Sequence, residues 1–331
     1  MTTYVETVRG SVDTDRLGPT LMHEHVFTLS TEIAVNYPEL AWSGDKATRI
    51  EEAVAKLASL KARGVDTLVD LTVLGLGRDV ATVAEINAQV DINIVVATGL
   101  YTYDELPGAI ECRRPGTRVW PSERDVLVDL FVADITEGIV DTGVKAGILK
   151  CCTEAQGLTP GVDRVLRAVA RAHRETGVPI STHTNAGART GLDQQKVFAE
   201  EGVDLSRVVI GHSGDTTDLD YLRQLMDAGS VIGMDRCGLY RRSMPTFEER
   251  VATIAALVAE GYADRMVLSH DASCHLDLLP WFDPERFPKW HYNHISDEVL
   301  PALREQGVTE EEVDLMMTGN PRRVFSTLGA Y

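Results

Sequence analysis

Two histidines separated by one residue stand near the N-terminus, in the apolar run between residues 21 and 27. Successive strand residues point to opposite faces, so His23 and His25 on a strand would point to the same side while Glu24 faces away. Two neutral imidazoles on one rigid strand make half of a transition-metal site. The pair alone is weak evidence for a metal, and the prediction depends on whether other strands bring further ligands to the same place.

The elements that must position these histidines follow from an alternation of short apolar runs with amphipathic helical segments. Runs that stay apolar along their length are typical of parallel strands buried on both faces. We predict eight such strands, Thr20–Phe27, Thr67–Thr72, Ile92–Gly99, Ala146–Cys151, Pro179–Thr184, Arg207–His212, Ser230–Asp235 and Arg265–Asp271. Eight strands each followed by a helix predict an α/β fold, a (β/α)8 or TIM barrel, in a single domain over residues 1–331. A doubly wound open sheet is the alternative, but no GxGxxG motif follows any strand.

Helix start signals occur between the strands. Thr159 followed by Pro160 predicts a helix that runs to Gly177. Two further pairs have the spacing of a capping box, Thr246 with Glu249 and Thr309 with Glu312.

Composition and charge exclude several classes of function. The net charge of −18 and the pI near 4.9 argue against binding to nucleic acid or to anionic membrane surfaces. No apolar run reaches 18 residues and no signal-peptide pattern opens the chain, so we expect a cytoplasmic protein. The five cysteines include the adjacent Cys151-Cys152 pair but no CxxC motif, which indicates neither a disulfide framework nor a thiolate zinc site.

Side chains that can bind metal recur at the carboxyl ends of the predicted strands, where barrel enzymes have their active sites. One histidine at such a position is ordinary, but several on one rim indicate a shared site. The candidate ligands are His23, His25, Lys150, His183, His212 and Asp271. Packing or hydrogen bonding is the expectation for the other histidines, His173, His270, His275, His291 and His294.

Lys150 is the unexpected member of this set, because an ammonium at the end of a buried strand is costly unless it is paired or neutral. One interpretation is an ordinary salt bridge. The other is that the amine is deprotonated and carboxylated by carbon dioxide, which gives an anionic ligand with two oxygens that could bridge two cations. Four neutral imidazoles need such added negative charge to hold two divalent metals, so this interpretation predicts a binuclear centre at the strand ends.

Two loops after the last predicted strands are expected to shape a substrate site. The longer, Ala272–Ile295, has no obvious element, and a loop of this length in a compact domain is usually functional. Its aromatic content predicts an apolar substrate wall, with a self-packed loop or a subunit interface as alternatives. These aromatic residues are Trp281, Phe282, Phe287, Trp290 and Tyr292. The loop after the seventh predicted strand, Arg236–Pro245, is shorter.

Five segments contain all six candidate ligands: Met22-His23-Glu24-His25, Gly147-Ile148-Leu149-Lys150, Ile180-Ser181-Thr182-His183-Thr184, Ile210-Gly211-His212-Ser213-Gly214-Asp215 and Leu268-Ser269-His270-Asp271. Two more segments belong with them, Ala97-Thr98-Gly99-Leu100-Tyr101 and Gly233-Met234-Asp235-Arg236. In these segments and their order, the chain resembles the phosphotriesterase-like lactonases of the amidohydrolase superfamily over essentially its full length.

The resemblance implies a particular metal centre. Its ligands would form two groups. One metal would be bound by His23, His25 and Asp271, and the other by His183 and His212. N6-carboxylated Lys150 and a hydroxide would bridge the two metals. Zinc is expected first, although cobalt, iron and manganese also suit this nitrogen and oxygen ligand set. A homodimer is likewise expected from the resemblance.

The activity that the resemblance implies is the opening of lactone rings, of the quorum-quenching type, with N-acyl-homoserine lactones or alkyl-substituted lactones as substrates. Two cations lower the pKa of a bridging water, so a hydroxide nucleophile would exist near neutral pH. Asp271 would orient this hydroxide and carry its proton to the departing ring alkoxide. Tyr101 would contact the lactone and Arg236 would help to shape the loops, with packing at the rim as the alternative for both. Slow hydrolysis of organophosphate triesters is expected as a side activity.

Two other functions stay open. A primary phosphotriesterase could use the same site, because the same hydroxide can attack tetrahedral phosphorus. A non-catalytic barrel scaffold would be indicated by the loss of a ligand, and none is lost. The acyl preference of a lactonase is also open, because Cys237 stands where an aromatic residue usually follows the arginine. The segment Leu239-Tyr240-Arg241-Arg242 also carries more positive charge than expected.

Overall fold

The computed structural model describes residues 3–278, 285–326 and 329–331. Within these ranges an antiparallel hairpin, β1 (Tyr4–Thr7) and β2 (Gly10–Asp13), precedes a sheet of nine parallel strands. The sheet strands are β3 (Thr20–Thr28), β4 (Thr67–Asp70), β5 (Asn93–Gly99), β6 (Ile148–Thr153), β7 (Ile180–Thr184), β8 (Val208–Ile210), β9 (Val231–Met234), β10 (Met266–Leu268) and β11 (Ser273–Leu276). From β3 to β10 each strand pairs with the next one in the chain.

The sheet closes into a barrel where β10 and β11 meet β3. The backbone N–H of Asp271, just past β10, donates to the His23 carbonyl at 3.0 Å, and the N–H of His25 donates to the Ala272 carbonyl at 2.9 Å. β11 continues this parallel pairing, with Ser273 opposite His25. β10 and β11 are therefore two halves of the eighth barrel strand, and the predicted (β/α)8 barrel is confirmed.

Helices lie between the barrel strands. In chain order they are α1 (Thr31–Asn36), α2 (Pro38–Ala41), α3 (Lys46–Lys61), α4 (Val80–Asn87), α5 (Gly108–Glu111), α6 (Val126–Thr136), α7 (Pro160–Thr176), α8 (Thr190–Glu200), α9 (Leu219–Asp227), α10 (Phe247–Ala259), α11 (Leu300–Glu305), α12 (Glu310–Asp314) and α13 (Asn320–Phe325). Short 3₁₀ turns cover Thr14–Arg16, Leu205–Arg207, Ser213–Asp215 and Tyr262–Arg265, and π-helical turns cover Ile295–Val299 and Leu315–Gly319.

The local helix signals act as predicted. The Thr159 hydroxyl accepts a hydrogen bond from the Val162 N–H at 3.2 Å, Pro160 takes the first helical position, and α7 ends at Gly177 with a φ of 76°. Both capping boxes, at Thr246 and at Thr309, are formed. These signals depend on residues three or four apart, so the sequence alone is enough to place them.

The barrel interior below the rim is filled by apolar side chains. A buried cluster contains residues of seven barrel strands, Met22, Val69, Val95, Ala97, Ile148, Val209, Val231 and Val267. Val5 of the N-terminal hairpin belongs to the same cluster, so the hairpin covers the amino end of the barrel. Residues i and i+2 share a strand face, so Lys150 stands above Ile148 on the inner face of β6 and points toward the opposite, carboxyl end.

One expectation about the elements is wrong. The segment after the eighth predicted strand was expected to lack an element, but β11 lies within it and completes the barrel. Residues 279–284 of that segment, which include Trp281 and Phe282, lie outside the described residues. Among the helices that the structure describes, none is long and apolar enough to cross a membrane.

Candidate metal centre

All six predicted ligand side chains converge on the carboxyl end of the barrel. His23 and His25 lie in β3, Lys150 in β6 and His183 in β7, while His212 follows β8 and Asp271 follows β10. They all line a single cavity of about 510 Å³. Each is at least half-buried, so the strands deliver polar groups into a site that is largely shielded from solvent.

One group of possible ligand atoms is centred on Asp271. Ligand atoms of His23, His212 and Asp271 lie within 4.8 Å of one another. His25 joins this group through its Nε2, 3.2 Å from Asp271 Oδ1, and His23 Nε2 is 3.5 Å from the same oxygen. These donors face a common point, as a metal ion requires.

A second group joins His183 to His212. His183 Nδ1 is 3.0 Å from His212 Nε2, and the two rings are 4.4 Å apart between centroids. His183 Nε2 faces the other way, 2.8 Å from Glu154 Oε1. Because an ionised carboxylate can only accept hydrogen bonds, this hydrogen bond keeps the proton on Nε2 and leaves the Nδ1 lone pair to face the site.

The backbone is held in an uncommon conformation at two of the candidate ligands. His212 has a φ of 59° and Asp271 a φ of 55°, in the left-handed region that non-glycine residues rarely adopt. Both residues stand just past a strand end, where this turn aims the side chain back over the barrel. Strain of this kind is concentrated at functional sites and persists only where the surrounding structure enforces it.

Lys150 is buried without a carboxylate partner among the described residues. Its side chain is 1% exposed, and its Nζ lies 2.8 Å from His23 Nε2 and donates to the Thr182 carbonyl at 3.2 Å. Burial lowers the pKa of Lys150 to about 8. The ordinary salt bridge is therefore not found among the described residues, and at this pKa part of the amine is neutral near physiological pH.

Three carboxylates that the sequence analysis left without a role orient the histidines. Asp235 bridges two of them, with Oδ2 2.9 Å from His23 Nδ1 and Oδ1 3.0 Å from His212 Nδ1. Asp70 acts through Thr72, whose hydroxyl donates to Asp70 Oδ1 at 2.5 Å and lies 2.8 Å from His25 Nδ1. Together with Glu154 on His183, these groups fix the ring orientation of all four imidazoles.

Arg236 connects Asp271 to a second buried acid. Its Nε donates to Asp271 Oδ2 at 2.9 Å and its Nη1 to Asp215 Oδ2 at 2.8 Å. Behind them Arg250 donates to Asp215 Oδ1 at 2.8 Å. Burial by itself would raise the pKa of Asp271, but the neighbouring His212 and Arg236 hold it well below its usual range. Asp271 is therefore an anion at neutral pH.

Glu24 faces away from the candidate ligands, as the strand periodicity predicts. Its buried carboxylate accepts from the backbone N–H groups of His270 and Ala272, each at 2.8 Å, and from the Ser269 hydroxyl at 2.8 Å. It also lies 2.7 Å from His270 Nδ1. Glu24 thus ties β3 to the chain segment that carries Asp271.

The protonation states of the imidazoles suit metal binding. Burial lowers the pKa of His23 to about 4, and it also lowers the pKa of His183 and of His212. These rings are neutral at pH 7, which is the form that binds metals. With an ionised Asp271, neutral imidazoles and a buried lysine that has no carboxylate partner in the described part of the chain, the donor set fits divalent metal ions of the transition series.

The cavity above the candidate ligands is lined by both polar and apolar side chains. Tyr101, predicted to contact substrate, lines it with its hydroxyl 3.2 Å from His183 Nδ1. The apolar side chains in the lining are Leu76, Ala186, Leu239, Met244, Leu276, Leu278 and Trp290. Arg241 also lines the cavity. Cys237 is 2% exposed and is absent from the cavity lining, so of the two unusual loop features only the charged segment borders the cavity.

The aromatic wall predicted for the long loop is present only in part. Trp290 lines the cavity and donates from its Nε1 to the His270 carbonyl at 2.7 Å. Phe287 and Tyr292 are buried away from the cavity, and the Tyr292 hydroxyl donates to the His25 carbonyl. Within the described residues, the loop therefore packs mostly on itself and on β3.

The remaining histidines have the structural partners that we expected. His173 Nδ1 lies 2.7 Å from the Val178 carbonyl, and His275 Nε2 lies 2.8 Å from the Ala41 carbonyl. His294 Nε2 contacts the Tyr240 hydroxyl at 2.7 Å, and the backbone N–H of Asn293 donates to His291 Nδ1 at 3.2 Å. None of these four belongs to the two ligand groups described above.

Known proteins are similar to this chain in sequence and in fold. The model of the phosphotriesterase family matches residues 3–325. A phosphotriesterase homology protein of Mycobacterium tuberculosis is 56% identical over 328 residues, which are 99% of each chain. An aryldialkylphosphatase of Saccharolobus solfataricus is 38% identical over 321 residues, 96% of this chain and 98% of that one.

A solved structure gives the same result for the fold. It comes from the molecular engineering of organophosphate hydrolysis activity from a weak promiscuous lactonase template. It is 35% identical, covers 98% of this chain and all of its own, and superposes with a TM-score of 0.88. The chain therefore belongs to the phosphotriesterase family and is a metal-dependent hydrolase.

Proposed function

We propose that the protein hydrolyses lactone rings, with N-acyl-homoserine lactones or alkyl-substituted lactones as its substrates. The observation that carries this proposal is the cavity of about 510 Å³ with the candidate ligands on its floor and with leucine, methionine and tryptophan side chains in its lining. The apolar lining residues favour an acyl or alkyl chain, while the polar floor suits an ester group. Similarity to the lactonase template supports the same substrate class.

We also propose that two divalent metals, zinc first and cobalt, iron or manganese as alternatives, are held at this floor. The assignment is His23, His25 and Asp271 for one ion, His183 and His212 for the other, and N6-carboxylated Lys150 for both. The buried amine with a pKa lowered to about 8 supports carboxylation, because only a neutral amine reacts with carbon dioxide. When bound, the metals supply a hydroxide nucleophile at neutral pH and polarise the ester carbonyl.

The residues of the chain have separate parts in this reaction. Asp271 is anionic and lies among the candidate ligands, so it can accept the proton of the attacking group and deliver it to the ring oxygen. Arg236 holds that carboxylate through its Nε, and an arginine keeps its own proton throughout. Tyr101 offers a hydroxyl to the substrate from the cavity wall.

Primary phosphotriesterase activity is the second candidate, and the 38% identical aryldialkylphosphatase favours it. The two functions differ in the ratio of kcat/KM for a panel of lactones to kcat/KM for paraoxon. We expect lactones of four- to twelve-carbon acyl or alkyl chains to exceed paraoxon by about a hundredfold or more, about 3 kcal/mol in transition-state binding. A higher kcat/KM for paraoxon than for every lactone would reverse the assignment.

The variant Lys150→Ala tests the metal ligands. Removal of the bridging side chain should abolish both metal binding and turnover, as measured by elemental analysis and lactone hydrolysis on the same preparation. Lys145→Ala is a matched control, because Lys145 lies just before the same strand, outside the cavity lining. Full metal content and normal activity in Lys150→Ala would remove the carboxylated lysine from the proposal.

We further propose that the protein is a homodimer, as the family resemblance implies, and that it is cytoplasmic, as the sequence pattern predicts. Analytical ultracentrifugation of the metal-loaded protein distinguishes a dimer from the 36.3 kDa monomer. A monomer at micromolar concentration would contradict this part of the proposal.

A further inference from the structure

A pair of tyrosine hydroxyls lies in the cavity wall beside the candidate metal centre. The Tyr101 hydroxyl is 2.7 Å from the Tyr103 hydroxyl and 3.2 Å from His183 Nδ1. The ring of Tyr103 also lies beside His183, with 5.9 Å between centroids, and both tyrosines line the cavity. Tyr103 has no role in the function proposed above.

The backbone on both sides of the pair is fixed by hydrogen bonds. The Tyr101 N–H donates to the Leu74 carbonyl at 2.9 Å, and the Thr102 hydroxyl donates to the Glu105 carbonyl at 2.6 Å. The tyrosine rings pack edge to face with 5.2 Å between centroids. The contact between the two hydroxyls is therefore formed within the segment that follows β5.

The number of protons in this cluster limits its hydrogen bonds. A tyrosine hydroxyl donates one hydrogen bond, and the only His183 nitrogen that can accept one is Nδ1, because Nε2 carries the proton shared with Glu154. A metal ion would take the Nδ1 lone pair, and Tyr101 would then lose this acceptor. Its proton would have to turn either to the Tyr103 oxygen or into the cavity.

We propose that Tyr103 is a positioning residue whose hydroxyl donates to the Tyr101 oxygen and so directs the Tyr101 proton into the cavity, toward the ring oxygen of a bound lactone. Tyr103 is 41% exposed, so water can satisfy its own oxygen, whereas Tyr101 is less accessible and depends on a partner within the cavity. This inference rests on the proposed lactonase function. When the bond from the carbonyl carbon to the ring oxygen breaks, its electron pair goes to that oxygen. Asp271 supplies the proton, and Tyr101 donates a hydrogen bond only.

The variant Tyr103→Phe tests this role with two lactones that differ in their leaving groups. δ-Valerolactone expels an alkoxide, which needs a hydrogen bond, and dihydrocoumarin expels a phenoxide, which needs it much less. We expect kcat/KM to fall about tenfold for δ-valerolactone, the value of one hydrogen bond, and less than about twofold for dihydrocoumarin. Tyr4→Phe, on the hairpin at the other end of the barrel, is the control and should change neither value.

A second measurement does not depend on activity. Crystal structures of the metal-loaded wild type and of Tyr103→Phe should show the two hydroxyls within hydrogen-bond distance in the wild type. In the variant, the Tyr101 ring should be displaced or should occupy several conformations. A separation above about 3.5 Å in the metal-loaded wild type would overturn the proposal. An equal fall in kcat/KM for both lactones would also overturn it, because that is the result of a merely structural role.

If the protein is not a lactonase, a different pattern of activities is expected. If the wild type hydrolyses paraoxon but neither lactone, the comparison is made with paraoxon and diethyl phenyl phosphate, which differ in leaving group in the same sense. Positioning by Tyr103 then predicts the larger loss for the phenyl compound in Tyr103→Phe. Equal losses for both triesters would reject the role of Tyr103 in either reaction.

Discussion

The six side chains proposed as metal ligands could be identified from sequence because each lies in a buried strand or shortly after one. Their partners could not. Asp235 and Glu154 are two of fifty acidic residues in the chain, and their importance depends on which imidazole nitrogen each one faces. That orientation is a property of side chains packed from different strands, so no local pattern contains it. Asp235 could at most have been suspected from its place at the end of the seventh predicted strand.

A conservative substitution tests the role of Glu154 beside His183. Glu154→Gln keeps the shape of the side chain but removes the charge that holds the proton on His183 Nε2. We expect the affinity for one metal equivalent to fall by about 10- to 100-fold, as measured by competition with a chelator. Glu105→Gln, an exposed residue of the neighbouring loop, is the control and should leave the affinity unchanged. Unaltered affinity in Glu154→Gln would show that this hydrogen bond does not orient a ligand.

Lys150 gives a prediction about pH. With a pKa of about 8 in the folded protein, about a tenth of the side chains are neutral at pH 7 and about nine tenths at pH 9. Raising the pH therefore increases the amine that can react with carbon dioxide. The initial rate of reactivation of metal-free protein, at fixed dissolved carbon dioxide, should rise about tenfold from pH 6 to pH 7 and level off above pH 8. A rate independent of carbon dioxide would contradict the carboxylation.

At the scale of elements, the helix caps were predictable and the second half of the eighth barrel strand, β11, was not. The start of α10 at Thr246 depends on a residue three positions away, whereas β11 exists because its backbone pairs with β3, about 250 positions earlier in the chain. β11 also lies in a polar-flanked segment, Ser273–Leu276, without the long apolar run that marks the other strands. Pairing between distant segments is a tertiary effect that periodicity alone does not show.

Gly99 at the end of β5 provides a test of how tightly two strands approach. Its φ is 146°, and a Cβ added there would lie 1.9 Å from the carbonyl oxygen of Lys150. Gly99→Ala should lower the free energy of unfolding by at least about 3 kcal/mol and should displace Lys150, because the clash is with backbone.

Gly64→Ala is the matched control for the backbone conformation. Gly64 also has a positive φ, 84°, but a Cβ there meets nothing within 4 Å. Gly64→Ala should lower the free energy of unfolding by the conformational strain alone, about 1–2 kcal/mol. Urea unfolding of both variants measures the difference. Equal losses would show that close approach of β5 and β6 is unimportant, and metal content in Gly99→Ala reports whether Lys150 has moved.

At the scale of the whole molecule, the burial of histidines links stability to pH in the metal-free protein. Burial lowers the pKa of seven of them, to about 4 in the case of His23 and His294; the seven are His23, His173, His183, His212, His275, His291 and His294. Imidazoles of the unfolded chain titrate near 6.5. Below that pH the unfolded state binds more protons than the folded state, so the free energy of unfolding falls as the pH decreases from 6.5 toward about 4.

The slope of this loss is the measurable quantity. Each buried neutral histidine contributes at most about 1.4 kcal/mol per pH unit, so the metal-free protein should lose several kcal/mol between pH 6.5 and pH 5.5. Urea unfolding at these two values checks it. His173→Gln removes one titrating group outside the metal centre and should make the slope smaller by that amount. A stability that is constant across this range would contradict the assignment of neutral histidines.

That one domain spans residues 1–331 stays a prediction.

Metal removal tests the connection between the centre and the barrel. The proposed ligands come from β3, β6 and β7 and from the segments after β8 and β10, so two ions would join places all around the sheet. A metal that binds the folded state alone adds about 4 kcal/mol when its free concentration is a thousand times its Kd. Chelation should therefore lower the Tm by several degrees, and added zinc should restore it. Lys150→Ala should respond much less to either treatment, because it lacks the bridging ligand. If protein with two metals per chain and fully chelated protein unfold at the same temperature, the metals do not bind at the positions proposed here.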